Sequence, residues 1–229
     1  MAREAMAELF LIRHGQASLG ADNYDRLSAT GEQQSLWLGE HFARDGVRFD
    51  RIMTGTLLRH AQTLDAIRRA MPGLPAECDI HAGLDEYDFH ALFAALPDAH
   101  RGLADAAKRG SREFFEALRQ VLQLWTEGAL DERAPETWSA FQRRVAEARA
   151  AIQQSGAQRV LVVTSGGVIG ALVQQMLQAP AAAAIALNMQ IRNSSVTHCY
   201  FNRETLQLSS LNGIAHLDDP QRHPFQTYG

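Results

Sequence analysis

Four short stretches carry side chains able to act together on one substrate: Arg13-His14-Gly15, Arg59, the carboxylates Asp85, Glu86 and Asp88, and Ser165-Gly166-Gly167. Two arginines held together suit a tetrahedral dianion, because each planar guanidinium matches two oxygens of a phosphate. A histidine among them has an unperturbed pKa of about 6.5 and is largely neutral near pH 7. Such an imidazole can attack phosphorus through one ring nitrogen while the other donates its hydrogen to a backbone carbonyl. The arginines hold the equatorial oxygens as charge redistributes. A carboxylic acid must then protonate the leaving oxygen and afterwards activate water. Glu86 is assigned that role, with Asp85 and Asp88 as competing carboxylates. Gly166-Gly167 opening a helix would offer free backbone N–H groups to the same anion. Gly166 to Gly170 lacks the G-x-G-x-x-G spacing, and a P-loop lysine is missing, so neither a dinucleotide nor a P-loop site is indicated.

These residues need strand ends to bring them together. Leu9 to Ile12 is an unbroken apolar run, read as a buried strand of a parallel sheet ending in Arg13 and His14. Ligands collect at the carboxyl ends of such strands. Phe49 to Met53 is a second short strand, and a turn leads to a helix from Leu57 to Ala70 that carries Arg59 in its first turn. Residues 77 to 81 form another short strand before Glu86. Arg159 to Ser165 is the clearest strand, followed by a helix from Val168 to Gln178. Thr30 and Gln33 have the spacing of a capping box for a helix that ends at Gly46. From Tyr87 to about Gly128 the pattern is helical, with breaks at Pro97, Gly102 and Gly110, and Phe114, Leu118, Val121 and Trp125 are expected on a core-facing side. Pro135 opens a further helix with Trp138, Phe141, Val145, Ala148 and Ile152 on one stripe. Strands at 195–201 and 206–211 form a hairpin, and the tail from Gly213 reads as polar and irregular. The alternation implies one α/β domain, residues 1–229, with a mostly parallel sheet and a helical insertion at about 87–155.

The bulk composition narrows the partners. A net charge of −4 gives no support to nucleic-acid binding or to a basic membrane-binding surface. Lys108 is the sole lysine beside many arginines, which suits bidentate anion binding but also follows from codon usage. Cys78 and Cys199 make neither a disulfide framework nor a zinc site, and no apolar run reaches membrane-span length. The expected setting is therefore cytoplasmic, with no metal, no cofactor, no nucleic acid and no membrane partner. A homodimer is left open.

The ordered motifs resemble those of the histidine phosphatases of the phosphoglycerate mutase-like superfamily. Leu11 to Gln16 resembles the R-H-G signature, Leu27 to Gln34 the L-[ST]-x-x-G-x-x-Q segment, and Leu57 to Thr63 the L-x-R-A-x-Q-T helix start. Leu84-Asp85-Glu86 is similar to L-x-E, and Asn212 to Leu217 to the closing N-x-x-x-H-L. The resemblance implies a three-layer α/β sandwich, with His14 and Glu86 catalytic and Arg13, Arg59, Ser165 and Gly166 binding phosphate. Gln16 and Ser18 are expected at the mouth of the site.

One departure bears on activity. Ser165 stands where the family places a second histidine. A charged donor contributes about 1.5–3 kcal/mol and a neutral one about 0.5–1.5, so the loss is about a decade or somewhat more in rate, and Ser165→His should restore about tenfold. His60 replaces the usual small residue beside Arg59, and reads as a surface or satisfied helix histidine ahead of a partial substitute for the missing donor. The leading function is a metal-independent phosphomonoester phosphatase working on a phosphorylated small molecule through phosphohistidine at His14. A phosphoglycerate mutase-type transferase is the second reading, although Gln16-Ala17-Ser18 departs from the R-H-G-E-S of mutases. A weakly active or inactive phosphate-ligand-binding protein is the third, because of Ser165.

Overall fold

The structure is a computed structural model that describes residues 6–18 and 25–228. Its centre is a six-stranded sheet in the order β3-β2-β4-β1-β5-β6. The strands are β1 (Ala7–Arg13), β2 (Arg51–Thr54), β3 (Asp79–Ile80), β4 (Arg159–Thr164), β5 (Val196–Phe201) and β6 (Leu206–Gly213). The first four run parallel, and the β5–β6 hairpin adds two antiparallel strands to the β1 edge. The apolar runs of β1 and β4 are continuous because both faces of the sheet are covered. Leu9, Leu11, Val160 and Val162 enter one core, whereas Ile12, Leu161 and Val163 enter the other.

Two helices, α1 (Ala29–Arg44) and α2 (Leu58–Ala70), cover the second face through Leu38, Phe42, Leu64 and Ile67. The first face is covered by α3 (Phe89–Ala94), α5 (Ser111–Thr126), α6 (Trp138–Gln153), α7 (Gly166–Leu177) and α8 (Ala181–Asn188), with α4 (Arg101–Ala106) between α3 and α5. Trp125 and Phe141 are fully covered there, and the Trp125 indole N–H donates to the Glu136 carbonyl at 2.8 Å. The 87–155 segment thus shares its core with β1 and β4.

Several boundaries differ from the sequence reading. The cap of α1 is Ser28, whose hydroxyl accepts from Gly31 N at 3.1 Å, rather than Thr30. The cap of α6 is Thr137 and not Pro135, because only Thr137 offers a hydroxyl to the Ala140 N–H, at 3.1 Å. Gly102 lies inside α4, while Pro97 and Gly110 do separate elements. The helix expected from Val168 begins at Gly166, and α8 has no counterpart in the sequence reading. Its alanine run favours helix without an amphipathic period. Most of the 17–27 loop, residues 19–24, lies outside the described residues. Its two ends pair, with Ala17 bridged to Leu27 and Ser18 N donating to Arg26 O.

Candidate active site

β1, β4 and β2 are neighbours and parallel, so their carboxyl ends lie side by side: Arg13 is level with Thr164, and Thr54 with Val163. The R-H-G turn leaves β1 at this edge. Gly15 and Gly31 interlock there. A Cβ on Gly15 would come within 2.2 Å of the Gly31 carbonyl oxygen, and one on Gly31 within 2.1 Å of the Gln16 carbonyl oxygen. The two motif glycines therefore let the start of α1 abut the end of β1 backbone to backbone. Thr63 Oγ1 accepts from Gly15 N at 3.0 Å and Gln62 Oε1 from Leu27 N at 2.8 Å, so α2 fixes both loops.

His14 is fully framed by backbone. Its N–H donates to Thr164 O, and its carbonyl accepts from Ser194 N and from the Asn193 amide at 3.4 Å. The ring Nδ1 lies 2.7 Å from Gly15 O, which accepts only, so Nδ1 carries the hydrogen and Nε2 presents its lone pair. Arg59 Nε donates to that Nε2 at 3.2 Å. Burial, then the charges of Arg59 and Arg13, hold the His14 imidazole well below its ordinary pKa. The ring is neutral at any pH near 7.

Arg13, His14, Arg59 and Glu86 line one cavity, together with Tyr87, Phe89, Phe114 and others. Arg59 is held by Asp25, which takes its Nη1 at 2.7 Å and the Leu58 backbone N–H at 2.8 Å. Arg13 Nη1 donates to the carbonyls of Ile191 and, at 2.6 Å, of Tyr228. Glu86 accepts from Gly167 N at 3.0 Å and Tyr87 N at 3.3 Å, and burial nonetheless pushes its carboxyl above the usual range. One N–H of the first turn of α7, that of Gly167, thus meets a carboxyl rather than standing free for a phosphate as the sequence suggested. The competing carboxylates are used elsewhere: Asp85 takes both donors of Thr56, at 2.6 Å each, and Asp88 caps α3.

Ser165 and Gly166 are not among the described residues lining the cavity. Ser165 Oγ lies 2.7 Å from His60 Nε2, both residues fully buried, and a Cβ on Gly166 would meet Asn188 Oδ1 at 2.7 Å. His60 is therefore a buried structural partner and not a surface histidine. Burial, with Arg59, lowers its pKa to about 3. Its Nδ1 lies 3.9 Å from Asp85 Oδ1. Gly55 leaves room for that approach, since a Cβ there would fall 2.2 Å from Asp85 Oδ1 and 2.5 Å from His60 Nδ1. Gln16 and Ser18, expected at the mouth, are likewise not among the described residues lining the cavity. The Gln16 side chain accepts from Ser28 Oγ at 2.8 Å, and its N–H donates to Gln34 Oε1.

The closing motif is supportive. Asn212 takes Arg192 N and donates to Gln190 O, both at 2.7 Å, while His216 Nε2 lies 2.7 Å from Ser194 Oγ. Together they brace the 190–195 loop that meets the His14 carbonyl. The tail is braced too: Gln34 donates to Phe225 O at 2.6 Å and Thr227 Oγ1 at 3.0 Å, and this brings the Tyr228 carbonyl to Arg13. Sequence reasoning missed Asp25, Asn193 and Tyr228 in these roles. The position of Asp25, just before the Leu27-Ser28 motif, was the one available signal.

The fold resembles that of phosphoglycerate mutase from Bacillus anthracis, with a TM-score of 0.67, 18% identity, and 92% of this chain and 95% of that one covered. It is similar to a putative α-ribazole-5′-P phosphatase from Escherichia coli, at TM-score 0.66 and 23% identity over 92% and 98% of the chains. It is also similar to a phosphoserine phosphatase from Entamoeba histolytica solved with 3-phosphoglyceric acid, at 0.62 and 18% over 92% and 98%. Comparison with curated protein sequences gave no match. Residues 9–213 match the model of the histidine phosphatase superfamily, branch 1. This range spans every motif from the end of β1 to Asn212, and the chain belongs to that superfamily.

Proposed function

We propose that the protein is a metal-independent phosphomonoester phosphatase that works through a phosphohistidine on His14. The carrying observation is the His14 tautomer, with Nδ1–H on Gly15 O and Nε2 directed between Arg59 and the cavity. In the first step Nε2 attacks phosphorus and forms the N–P bond. The P–O bond to the alcohol breaks, and protonated Glu86 gives its proton to the leaving oxygen. In the second step the Glu86 carboxylate takes a proton from water, the water oxygen bonds to phosphorus, and the N–P bond breaks to release inorganic phosphate. Arg13 and Arg59 stabilise the equatorial oxygens in both steps. Ser165, Gly166 and His60 support this assembly from behind: the His60 ring centroid is 5.7 Å from that of His14.

Metal independence is supported by the donor set, since no group of three or more His, Cys, Asp or Glu able to hold a metal ion occurs among the described residues. No described helix is long and apolar enough to cross a membrane. Two free thiols, Cys78 and Cys199, support a reducing, cytoplasmic setting. The test is acid-quench trapping with labelled phosphoester. The expected adduct is acid-labile and alkali-stable and disappears in His14→Ala along with turnover. Retained turnover in His14→Ala overturns the mechanism. Phosphate binding at Arg13 and Arg59 with no adduct on a broad phosphoester panel would make the protein a phosphate-ligand binder instead.

A further inference from the structure

The cavity has two ends of opposite character. Its floor holds Arg13, His14 and Arg59, all nearly covered. Its wall is apolar: Phe89 of α3, Phe114, Phe115 and Leu118 of α5, and Met189 just after α8. Phe114 was expected in the core. The α5 stripe of Leu118, Val121, Leu122 and Trp125 enters the core, and Phe114 and Phe115, one turn earlier, pack against that core while also lining the cavity. The rings are fixed against one another. Phe114 packs edge-on to Phe89 at 5.6 Å and to Phe115 at 5.3 Å. Such pairs are pre-organised, so little side-chain entropy is lost when a ligand covers them.

The charges near the wall are as telling as the rings. Among the described residues lining the cavity, Arg13 and Arg59 are the only cations, and both lie at the floor. The Asn188 amide and the Tyr87 hydroxyl are bonded to each other at 2.7 Å. A carboxylate or second phosphate on the organic part of a substrate would be desolvated against phenylalanine rings with no cation to meet it. An apolar group in the same place would remove partly exposed rings from water.

We propose that this wall binds the organic part of the substrate, and that the substrates are small phosphomonoesters of uncharged, apolar or aromatic alcohols. The inference rests on the phosphatase reading and deepens it. It is tested first by binding, with non-hydrolysable phosphonates, so that the result does not depend on turnover. In calorimetric titration 3-phenylpropylphosphonate is expected to bind at least about tenfold more tightly than 2-carboxyethylphosphonate. Phe115→Ala and Met189→Ala should each reduce that preference by about threefold or more, with a much smaller effect on methylphosphonate affinity. Equal or tighter binding of the carboxylated compound, or a preference that survives both substitutions, overturns the proposal. Turnover then separates the two readings. The expected preference without hydrolysis of any ester sinks the phosphatase reading and keeps the wall. His14-dependent hydrolysis that favours 3-phosphoglycerate over 3-phenylpropyl phosphate sinks the wall and keeps the phosphatase.

Discussion

His60 Nε2 lies 2.7 Å from Ser165 Oγ, and neither residue exposes any surface. The space beside the end of β4 that a longer side chain at 165 would enter is already filled, from α2, by an imidazole. The sequence expectation that Ser165→His fits with little strain and gains about tenfold therefore does not hold for the single substitution. Two imidazoles would compete for one volume, and overpacking of this kind costs about 1–3 kcal/mol. Ser165→His alone is expected to lower both thermal stability and turnover. His60→Ala combined with Ser165→His should recover both, with a coupling of about 1 kcal/mol or more in a double-mutant cycle on stability. A single Ser165→His variant as stable and active as the wild type would show that the two positions do not share that volume.

The two titrating groups of the cavity are displaced in opposite senses. Burial and the arginines hold the His14 imidazole well below its usual pKa, so mild acidification does not remove the nucleophile. Burial raises Glu86, which keeps its proton to higher pH than an ordinary carboxyl. The kcat/KM profile is expected to stay level on the acid side and to fall on the alkaline side as Glu86 ionises. Glu86→Gln should remove the alkaline limb and lower turnover of alkyl phosphates by about 100-fold or more, with a smaller loss for p-nitrophenyl phosphate, whose leaving group needs less protonation. An alkaline limb that persists in Glu86→Gln would place the titrating acid elsewhere.

What could be read from the chain was local. The apolar runs of β1 and β4 and the polar residues that end them identified the sheet edge where the candidate site lies, because a buried parallel strand leaves a continuous signal. Arg59 followed from a strand-turn-helix pattern, and Glu86 from a loop after a strand. The residues that hold these groups were illegible for the opposite reason. Arg13 and Tyr228 are 215 residues apart, His60 and Ser165 105 apart, and no periodicity encodes such meetings. The free helix N-terminus expected at Gly166-Gly167 was a fair reading of the sequence, but Glu86 turned out to take its Gly167 N–H. β3, although only two residues long, falls inside the short strand read at 77–81.

Three buried histidines make the fold sensitive to acid. Burial lowers His60 and His216 to about 3, in each case with a smaller contribution from nearby charge, and lowers His14 strongly as well. In the unfolded chain each takes up a proton near pH 6.5. The unfolded state then binds more protons than the folded one, so their contribution is complete above about pH 6.5 and is lost as pH falls toward the folded values. Each costs about 1.4 kcal/mol per pH unit over that interval. Glu86, raised in the folded state, acts in the opposite sense. Denaturant titration at pH 7.5, 6 and 5 should show stability falling on acidification, and His216→Asn should flatten the slope by about one proton. A stability independent of pH between 7 and 5 would mean that these rings charge within the fold.

Gly167 offers a test of Glu86 that leaves the carboxyl itself in place. It is the second residue of α7, where alanine would ordinarily favour the helix by about 0.5–1 kcal/mol. A Cβ there, however, would fall 2.2 Å from Glu86 Oε1 and 2.5 Å from the Tyr87 ring. The carboxyl is the end of a side chain and must move, losing the Gly167 N–H that now holds it at 3.0 Å. Gly167→Ala is therefore expected to keep a folded, cooperative transition within about 2 kcal/mol of the wild type. It should also lower kcat for alkyl phosphates by about 10- to 100-fold, since a misplaced general acid gives up most of its contribution. Phosphonate affinity, which depends on Arg13 and Arg59, should change far less. The loss should shrink as the leaving group improves, the same signature as Glu86→Gln in weaker form. If kcat for good and poor leaving groups falls equally, Gly167 acts on something other than the acid, and Glu86 loses its assigned role at this position.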